Sequence, residues 1–187
     1  MASSRSTHSP SAKTAAPLFV RLTGEDHPRA CTGRRLVHRG LAHEWKENGP
    51  VVRGPILLDP RAPDPLTSLD GPRAVSSGIL VVDCSWNRLD QRGGFDPAWS
   101  GLGRLPRRRL PWLLAGNPQH YGRVGELNTA EAFAGALDIL GDRPGAERVL
   151  NTFAGGPGFL ALNARLLEAY RGARSVDELH GAEREFF

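Results

Sequence analysis

Residues 110–131, LPWLLAGNPQHYGRVGELNTAE, are the stretch around which the fold of this chain is organised. They begin with a short apolar run, LPWLLAG, whose length and flanking breakers predict a buried strand. A loop rich in Gly, Pro and Asn follows, and such long loops between core elements are usually either functional or disordered. Tyr121, Leu127 and the cap-forming Asn128 favour order. We therefore predict an ordered binding loop that leads into a helix.

The composition of the chain is that of an ordinary globular protein with a basic balance. Its 187 residues suffice for one domain, or for a small domain packed on a larger one, and 40% are hydrophobic and 24% charged. The net charge is +4, and arginine provides almost all of the positive charge because Lys13 and Lys46 are the only lysines. Such a bias can reflect genome composition as well as function. Guanidinium groups bind phosphate oxygens bidentately, so a polyanionic partner fits this balance.

The cysteines and the first residues of the chain indicate its compartment. Cys31 and Cys84 lie far apart in the sequence and do not make a disulfide framework. A reduced, cytoplasmic setting is the default for such a chain. Residues 1–16 lack the apolar centre of a secretory signal, and no apolar run is long enough to span a membrane. We expect a disordered tail at 1–16, a cytoplasmic protein and no membrane partner.

Residues 17–77 predict a small N-terminal α/β domain. A strand at Leu18–Leu22 comes first, and a short helix that begins around Cys31 comes next, with Thr32 as a fair N-cap. A second short strand lies within residues 49–60 and ends at Asp-Pro. The rest of this segment is rich in Pro, Asp and Ser, which predicts mostly loop.

Residues 78–86, GILVVDCSW, give the clearest strand of the sequence and open a second domain at 78–187. Four consecutive aliphatic residues mean that both faces of the strand are covered, as in a central strand of a parallel sheet. Ligands of such sheets bind at the carboxyl ends of the strands, where Asp83 and Trp86 lie. The alternative is that Asp83 only caps a turn and Trp86 only closes the core.

Helices dominate the remainder of the second domain. Asn128 and Glu131 form the pattern of a capping box, so a helix is predicted over residues 128–141. Two more helices are predicted at 146–153 and 159–170, and the tail VDELHGAEREFF is also helical. The C-terminal third therefore packs helices onto the sheet. The predicted buried stripe of the first helix consists of Ala132, Phe133, Ala136, Leu137 and Leu140.

Four blocks of the sequence, in this order, resemble one known family. They are CTGRRLVHRGLA at 31–42, DCSW at 83–86, RRLPWLLAGNPQHYGRVGELNTAEA at 108–132 and FLALNARLLEAY at 159–170. The small-subunit rRNA aminocarboxypropyltransferases of archaea and eukaryotes read close to KCTAxxLxxxGLA, DCSW, RxLPxLxAANPxNYGxxxxLxxxEA and FLxxNxxLLxxY at these places. The resemblance spans residues 18–170.

The resemblance implies both a fold and an activity. The implied fold is an α/β, SPOUT-like, trefoil-knotted parallel sheet with C-terminal helices, preceded by the small N-terminal α/β domain. The implied reaction moves the 3-amino-3-carboxypropyl group of S-adenosyl-L-methionine to N3 of a modified pseudouridine in small-subunit rRNA, and methylthioadenosine leaves. The implied partner is small-subunit rRNA or a pre-ribosomal particle during ribosome biogenesis, and we expect the protein to be a monomer.

Carried over by motif, the family's cofactor contacts fall on Thr32, Val82, Trp86, Leu110, Gly125 and Thr129. Gly125 departs from the family pattern, because many relatives carry an aromatic residue there. A side-chain contact is lost at this position, while a backbone contact would survive. Gly116 and His120 are milder departures, since they stand where the pattern has alanine and asparagine.

The implied reaction is an in-line displacement at carbon, in which positioning supplies most of the rate. Asp83 is the acid best placed by sequence to be the catalytic residue. It could accept the proton of N3 or anchor the ammonium group of S-adenosylmethionine, and both roles stay open. Trp86 either packs against the sulfonium methyl group or belongs to the core. Cys84 has no histidine at a motif spacing, so it is predicted to be a buried thiol and not a nucleophile.

Basic residues are the candidates for contacts to rRNA phosphates, and no metal site is predicted. His27, Cys31, His38 and His43 match no paired zinc pattern. Each arginine alone could equally be a solvated charge, and the run at 107–109 could equally keep an exposed sheet edge soluble. The RNA-binding candidates are Arg34, Arg35, Arg73, Arg107, Arg108 and Arg109.

Two alternatives to aminocarboxypropyl transfer stay open at the level of the sequence. One is a SPOUT-type RNA methyltransferase that uses the same cofactor. The other is a non-catalytic ribosome assembly factor that kept the fold and lost the chemistry.

Overall fold

Five parallel strands form one sheet in the order β2-β1-β4-β3-β5. The computed structural model describes residues 15–24, 31–46, 54–84, 99–153 and 155–187. Because every neighbouring pair of strands is parallel, the carboxyl ends of the strands meet at the same edge of the sheet. The strands are β1 (Leu18–Leu22), β2 (His43–Glu44), β3 (Ile56–Leu58), β4 (Ile79–Asp83) and β5 (Arg107–Arg108).

Seven α-helices pack on this sheet or on one another within the described residues. Five of them follow β5 along the chain, so the expectation that the C-terminal part is helical is confirmed. The helices are α1 (Thr32–His38), α2 (Gly71–Ser77), α3 (Thr129–Ile139), α4 (Arg143–Leu150), α5 (Gly156–Leu162), α6 (Ala164–Gly172) and α7 (Val176–Phe186).

Strand β4 lies in the middle of the sheet, as its continuous apolar run predicts. All five of its residues are buried. Ile79 and Val81 face the larger core, which the helices complete, while Leu80 and Val82 face a smaller cluster on the other side of the sheet. The predicted strand β1 is also confirmed, and its register pairs Leu22 with Asp83 at the carboxyl edge.

Two predictions for the N-terminal part need correction. Cys31, and not Thr32, is the N-cap of α1, because its sulfur accepts a hydrogen bond from the Arg34 N–H at 3.3 Å. Residues 71–77 form helix α2, where Pro, Asp and Ser content predicts loop. Proline near the start of a helix removes only an N–H that has no intrahelical partner, so the composition of this segment is compatible with a helix.

The apolar run at residues 110–116, which we call the strap, is not the strand that the sequence predicts. The strand of this region is β5, two residues of the arginine run, and it lies at the edge of the sheet. The strap makes one isolated bridge, between Leu114 and Val124. The N–H and carbonyl groups of Trp112, Leu114 and Ala115 are nevertheless satisfied, as buried groups require, by two sets of partners outside the sheet.

The odd-numbered residues of the strap bond to the following loop. The Leu113 carbonyl accepts a hydrogen bond from the Gly125 N–H at 2.8 Å. The Ala115 N–H donates to the Arg123 carbonyl at 2.9 Å, and the Ala115 carbonyl accepts from Gly122 at 2.8 Å. The loop that the sequence predicts to be ordered is thus tied to the strap along its length.

The even-numbered residues of the strap bond to side chains of the helices. Asn163 accepts a hydrogen bond from the Leu114 N–H at 2.8 Å and donates to the Leu114 carbonyl at 2.9 Å. Tyr170 donates to the Trp112 carbonyl at 2.9 Å, and Glu183 accepts from the Trp112 N–H at 3.1 Å. These side chains take the place that a neighbouring strand would occupy.

Helix α3 has the predicted capping box and is buried on all sides. Asn128 accepts from the Glu131 N–H, and Glu131 accepts from the Asn128 N–H, both at 2.9 Å. Glu131 also accepts from the Gly116 N–H at 2.9 Å, which anchors the end of the strap. Every residue of α3 except Ala132 is buried, so the predicted one-sided stripe is wrong, because α3 lies between the sheet and the other helices.

The helix boundaries in the C-terminal part differ from the predictions in two places. The helix predicted at 146–153 begins at Arg143, because Asp142 caps it by accepting from the Gly145 N–H at 2.9 Å. The single helix predicted at 159–170 is two helices, α5 and α6, which meet at the fully buried Asn163. The predicted C-terminal helix is confirmed as α7.

The sheet combines strands from both predicted domains. Strands β1, β2 and β3 come from residues 17–77, and β4 and β5 come from 78–187. The division at residue 77 and the disordered tail stay predictions, and residues 1–14 of that tail lie outside the described part of the chain. Among the described residues, no helix is long and apolar enough to cross a membrane.

Replacement of Asn163 by alanine should destabilise the fold strongly. It leaves the Leu114 N–H and the Leu114 carbonyl without their partner and removes the side-chain bond to the Phe159 carbonyl, which keeps the bond from the backbone N–H of residue 163. Buried polar groups without partners are costly, so we expect the free energy of unfolding in urea to fall by roughly 3 kcal/mol or more. The exposed Asn151 offers a matched control, and N151A should change the free energy of unfolding by less than about 0.5 kcal/mol. Equal effects of the two substitutions would refute this role of Asn163.

Candidate functional site

A cleft of about 570 Å³ opens at the carboxyl edge of the sheet. Its walls come from the ends of β3 and β4, the strap, the loop after it and the start of α3. The size lies within the usual range for small-molecule sites. Five of the six residues that the sequence assigns to the cofactor line this one cleft: Thr32, Val82, Leu110, Gly125 and Thr129. The sixth, Trp86, lies outside the described residues.

Asp83 stands at the end of β4, where it lines the cleft and holds two helices to the strand. Its carboxylate accepts a hydrogen bond from the Cys31 thiol at 2.7 Å and another from the Thr129 hydroxyl. Cys31 caps α1 and Thr129 begins α3. Asp83 is 9% exposed, so both donors bind it away from bulk water. The three residues come from separate sequence motifs and meet only in the fold.

Gly33 allows α1 to approach the strand this closely. A Cβ atom at residue 33 would lie 2.6 Å from Cγ1 of Val20 and 2.8 Å from Oδ2 of Asp83. These distances are shorter than any normal contact, so a side chain would push α1 away from β4. Gly33 stands where the family motif has alanine, and the close approach of the helix to Asp83 gives a physical reason for glycine in this chain.

Cys31 is a hydrogen-bond donor and not a nucleophile. Burial raises the pKa of Cys31 to about 11, and the hydrogen bond to Asp83 acts in the same direction. The residue is therefore a neutral thiol at physiological pH. Cys84, predicted to be buried, is half-buried and packs against the smaller core cluster. Both cysteines are free.

The arginine run at 107–109 is paired with carboxylates of the same chain. Arg107 contacts Asp59 at 3.3 Å, and Arg108 contacts Asp70 at 3.2 Å. Arg109, which lines the cleft, donates to both oxygens of Glu183 at 2.7 and 2.9 Å.

The other three RNA-binding candidates lie at the surface in two different settings. Arg34 and Arg73 are exposed. Arg35 is half-buried, donates to the Thr152 carbonyl at 3.0 Å and lies over the Phe153 ring at 4.4 Å. Contact of these arginines, and of the run at 107–109, with RNA stays a prediction.

Glu183 is a functional candidate that the local sequence does not reveal. Burial alone would raise its pKa, but hydrogen bonds from Arg109 and from the Trp112 N–H outweigh burial and hold the pKa of Glu183 below its usual value. The carboxylate is therefore charged and fixes residues 109–112, all of which line the cleft. Its sequence neighbourhood, VDELHGAEREFF, shows only a helical pattern, because the partners of Glu183 are more than 70 residues away.

Further polar groups line the opposite wall of the cleft. His120 contacts the carboxylate of Glu126 through Nδ1, and Arg123 donates to the same carboxylate at 3.3 Å. Asn117, buried in the loop, donates to Glu131 at 2.7 Å and accepts from the His120 N–H at 3.0 Å. Within the part of the chain that the structure describes, no three His, Cys, Asp or Glu residues are grouped so that they could hold a metal ion.

Comparisons with known proteins agree on one family. The family model described as "Ribosome biogenesis protein, C-terminal" matches residues 56–187. The 16S rRNA aminocarboxypropyltransferase of Methanosarcina mazei is 40% identical over 163 residues, which cover 87% of this chain and 90% of that protein. The enzyme of the same name from Methanopyrus kandleri is 41% identical over 160 residues, 85% of this chain and 91% of that protein.

A solved structure is similar over nearly the whole chain. It is that of the SAM-dependent rRNA:acp-transferase Tsr3 from Vulcanisaeta distributa, with a TM-score of 0.74 and 35% sequence identity. The similarity covers 91% of this chain and 97% of that one. The α/β fold with a parallel sheet is therefore shared with a known structure.

The state of the Cys31 thiol predicts how stability depends on pH. The pKa of the thiol rises from its ordinary value of 9.0 to about 11 in the folded protein. Between these values the unfolded chain releases a proton that the folded protein keeps, so stability falls as the pH rises from 9 to 11. Relative to C31S, the unfolding free energy of the wild type should fall by up to roughly 3 kcal/mol across this window. Urea denaturation at several pH values measures the unfolding free energy of both proteins. The same dependence on pH in the wild type and in C31S would contradict the raised pKa of Cys31.

Proposed function

This chain belongs to the 16S rRNA aminocarboxypropyltransferase family, and from that membership we propose that the cleft at the carboxyl edge of its sheet binds S-adenosylmethionine next to the RNA nucleotide that it modifies. The protein is a S-adenosylmethionine-dependent transferase that acts on small-subunit rRNA in ribosome biogenesis. The observation that carries the assignment of the site is the convergence of Thr32, Val82, Leu110, Gly125 and Thr129 on one cleft.

The residues of this cleft fit S-adenosylmethionine in size and in chemistry. When bound, this cofactor supplies a carbon activated by a sulfonium group, and the aminocarboxypropyl chain is the part transferred. Apolar walls for an adenosine come from Leu58, Val81, Val82 and Leu110. At Gly125 the wall stays open, because no side chain projects there. A Cβ atom at Gly125 would meet nothing within 4 Å, so the absence of an aromatic side chain leaves open space in this wall of the cleft.

The backbone conformation of residue 125 also favours glycine. Its φ is +77°, in the left-handed region that glycine adopts at little cost, and its N–H donates to the strap at Leu113. We propose that a contact from the backbone of Gly125 to the cofactor takes the place of the side-chain contact.

Asp83 is proposed to anchor the positive charge of the cofactor rather than to take up a proton. Each of its carboxylate oxygens already accepts a hydrogen bond, one from Cys31 and one from Thr129, and each keeps a further lone-pair direction for a cation. Protonation of Asp83 would weaken one of these two bonds. The arrangement therefore supports a fixed acceptor that binds the ammonium group of the aminocarboxypropyl chain.

The finer features of the assignment are proposals of the same kind. The ordered loop tied to the strap is consistent with the SPOUT-like trefoil knot that the family resemblance implies. N3 of a modified pseudouridine is the proposed acceptor, and methylthioadenosine the proposed product. The proposed form is a monomer in the cytoplasm, and the proposed partner is rRNA or a pre-ribosomal particle, a polyanion that the basic net charge of +4 supports.

Labelled cofactor tests the reaction directly. The protein is incubated with small-subunit rRNA and with S-adenosylmethionine labelled either in the carboxyl group or in the methyl group. We expect carboxyl label, and no methyl label, to appear in the RNA. Transfer of methyl label alone would assign the protein as a methyltransferase, and cofactor binding without transfer to any RNA would favour a non-catalytic assembly factor.

Replacement of Asp83 by asparagine tests its role as anchor. Loss of the charge should raise the dissociation constant for S-adenosylmethionine roughly 10- to 100-fold, measured by calorimetry. The single-turnover rate constant for transfer at saturating cofactor should change by less than about 5-fold, which corresponds to less than about 1 kcal/mol in the activation free energy. The exposed Asp177 is the control, and D177N should alter neither quantity. Slower transfer with unchanged cofactor affinity would instead identify Asp83 as the proton acceptor.

A further inference from the structure

Trp112 is a large aromatic side chain that stands exposed at the wall of the cleft. It is 46% exposed, although its neighbours in the strap, Pro111 and Leu113, are buried. It occupies a position that the family pattern RxLPxLxAANP leaves open, so the pattern does not explain it. An exposed tryptophan beside a ligand cleft is a candidate binding group, because its large flat ring is costly to leave in water.

The backbone and the ring of Trp112 are both held in place. Its N–H donates to Glu183 at 3.1 Å, and its carbonyl accepts from Tyr170 at 2.9 Å. Its ring packs edge-to-face against Phe187, with ring centroids 5.6 Å apart and an interplanar angle of 83°. Phe187 is itself 46% exposed, so the two rings form an exposed apolar surface that meets the cleft at Trp112. A ring fixed in this way loses little freedom when a ligand binds.

The charges around the two rings suit a nucleic acid. Arg109 and Arg123 line the same cleft, each paired with one carboxylate, Glu183 or Glu126, and the side chain of Arg123 is 63% exposed. Arg184, on the same helix as Glu183, is also exposed. Cations beside an exposed aromatic ring are the combination with which proteins bind single-stranded RNA, because the cations attract phosphates and the ring stacks on a base.

The reaction itself requires an unpaired base. N3 of a pyrimidine lies on the edge that forms Watson–Crick pairs, so an enzyme that modifies N3 has to bind the base outside a duplex. Removal of a base from its stack is costly, and aromatic side chains commonly replace the lost stacking. A fixed ring at the mouth of the cleft, which the cofactor residues line, offers that replacement.

We propose that Trp112, backed by Phe187, is the platform on which an unpaired base of the RNA substrate stacks. This inference rests on the proposed function, since it takes the cleft to be the site of transfer to RNA. The occupant is a base of single-stranded RNA, at or next to the modified nucleotide. Cofactor binding uses other groups of the cleft, Asp83 and Thr129 among them.

The test compares RNA binding and cofactor binding in the full chain. The RNA probe is a single-stranded oligouridylate of about ten nucleotides, within the usual site size, and the same strand paired with oligoadenylate is the duplex control. W112A should weaken binding of the single strand roughly 5- to 150-fold, as loss of one stacked base does. W112F should keep most of the affinity. L69A removes an exposed apolar side chain outside the cleft and should change nothing.

Fluorescence gives a readout that a merely structural role of Trp112 would not move. Stacking of a base on Trp112 should quench tryptophan emission on addition of the single strand, and W112F should lose this quenching while it still binds. F187A, which keeps the tryptophan, should show quenching with weaker binding. Should W112A prove too unstable to study, W112F and F187A still decide the question.

Two results would overturn the proposal. One is an unchanged affinity of W112A for the single strand. The other is that W112A loses as much affinity for S-adenosylmethionine as for RNA, which would assign Trp112 to the cofactor. Failure of the proposed function is distinguishable, because it shows as absence of carboxyl-label transfer in the wild type. The binding and quenching results do not depend on that transfer.

Discussion

The strap at residues 110–116 depends on hydrogen bonds between its backbone and side chains of the helical part of the chain. A buried extended segment outside a sheet would leave polar groups without partners, at a cost of roughly 1–3 kcal/mol each. Glu131, Tyr170 and Glu183 supply these partners from three helices, and Asn163 supplies one from the junction of α5 and α6. The C-terminal helices are therefore needed to hold one wall of the cleft, and the motifs at 108–132 and 159–170 are parts of a single hydrogen-bonded unit.

Asp83 plays the corresponding part on the other side of the cleft. It joins the end of the central strand to the first residues of two helices through Cys31 and Thr129. The parallel sheet places this carboxylate at the edge where ligands bind. Thr32 and Thr129, both in the cleft, owe their positions to the helices that Asp83 holds. One buried carboxyl group thus contributes to the fold and to the cleft together, and Gly33 fits there because a Cβ atom at this position would collide with Val20 and Asp83.

Much of this arrangement follows from local patterns. The continuous apolar run ILVVD predicts a central parallel strand, and the Asn128 and Glu131 pair predicts a helix start, because both depend on residues close in sequence. The strap was predicted as a strand for the same reason, and wrongly, since apolar composition reports burial but not the identity of the hydrogen-bond partner. The arginine run shows the same limit: its charge is evident in the sequence, but its pairing with Asp59, Asp70 and Glu183 is not.

By itself the sequence determined the family, the parallel α/β class and five residues that meet in one cleft, because these are carried by short motifs in a fixed order. The tertiary structure alone decided what holds that cleft in shape. The hydrogen bonds that Asp83 accepts span about 50 residues, and those that Glu183 accepts span about 70. Contacts at such separations leave no periodic signal in the sequence, because they depend on how the helices pack against the sheet. The exposed position of Trp112 beside Phe187 is decided in the same way.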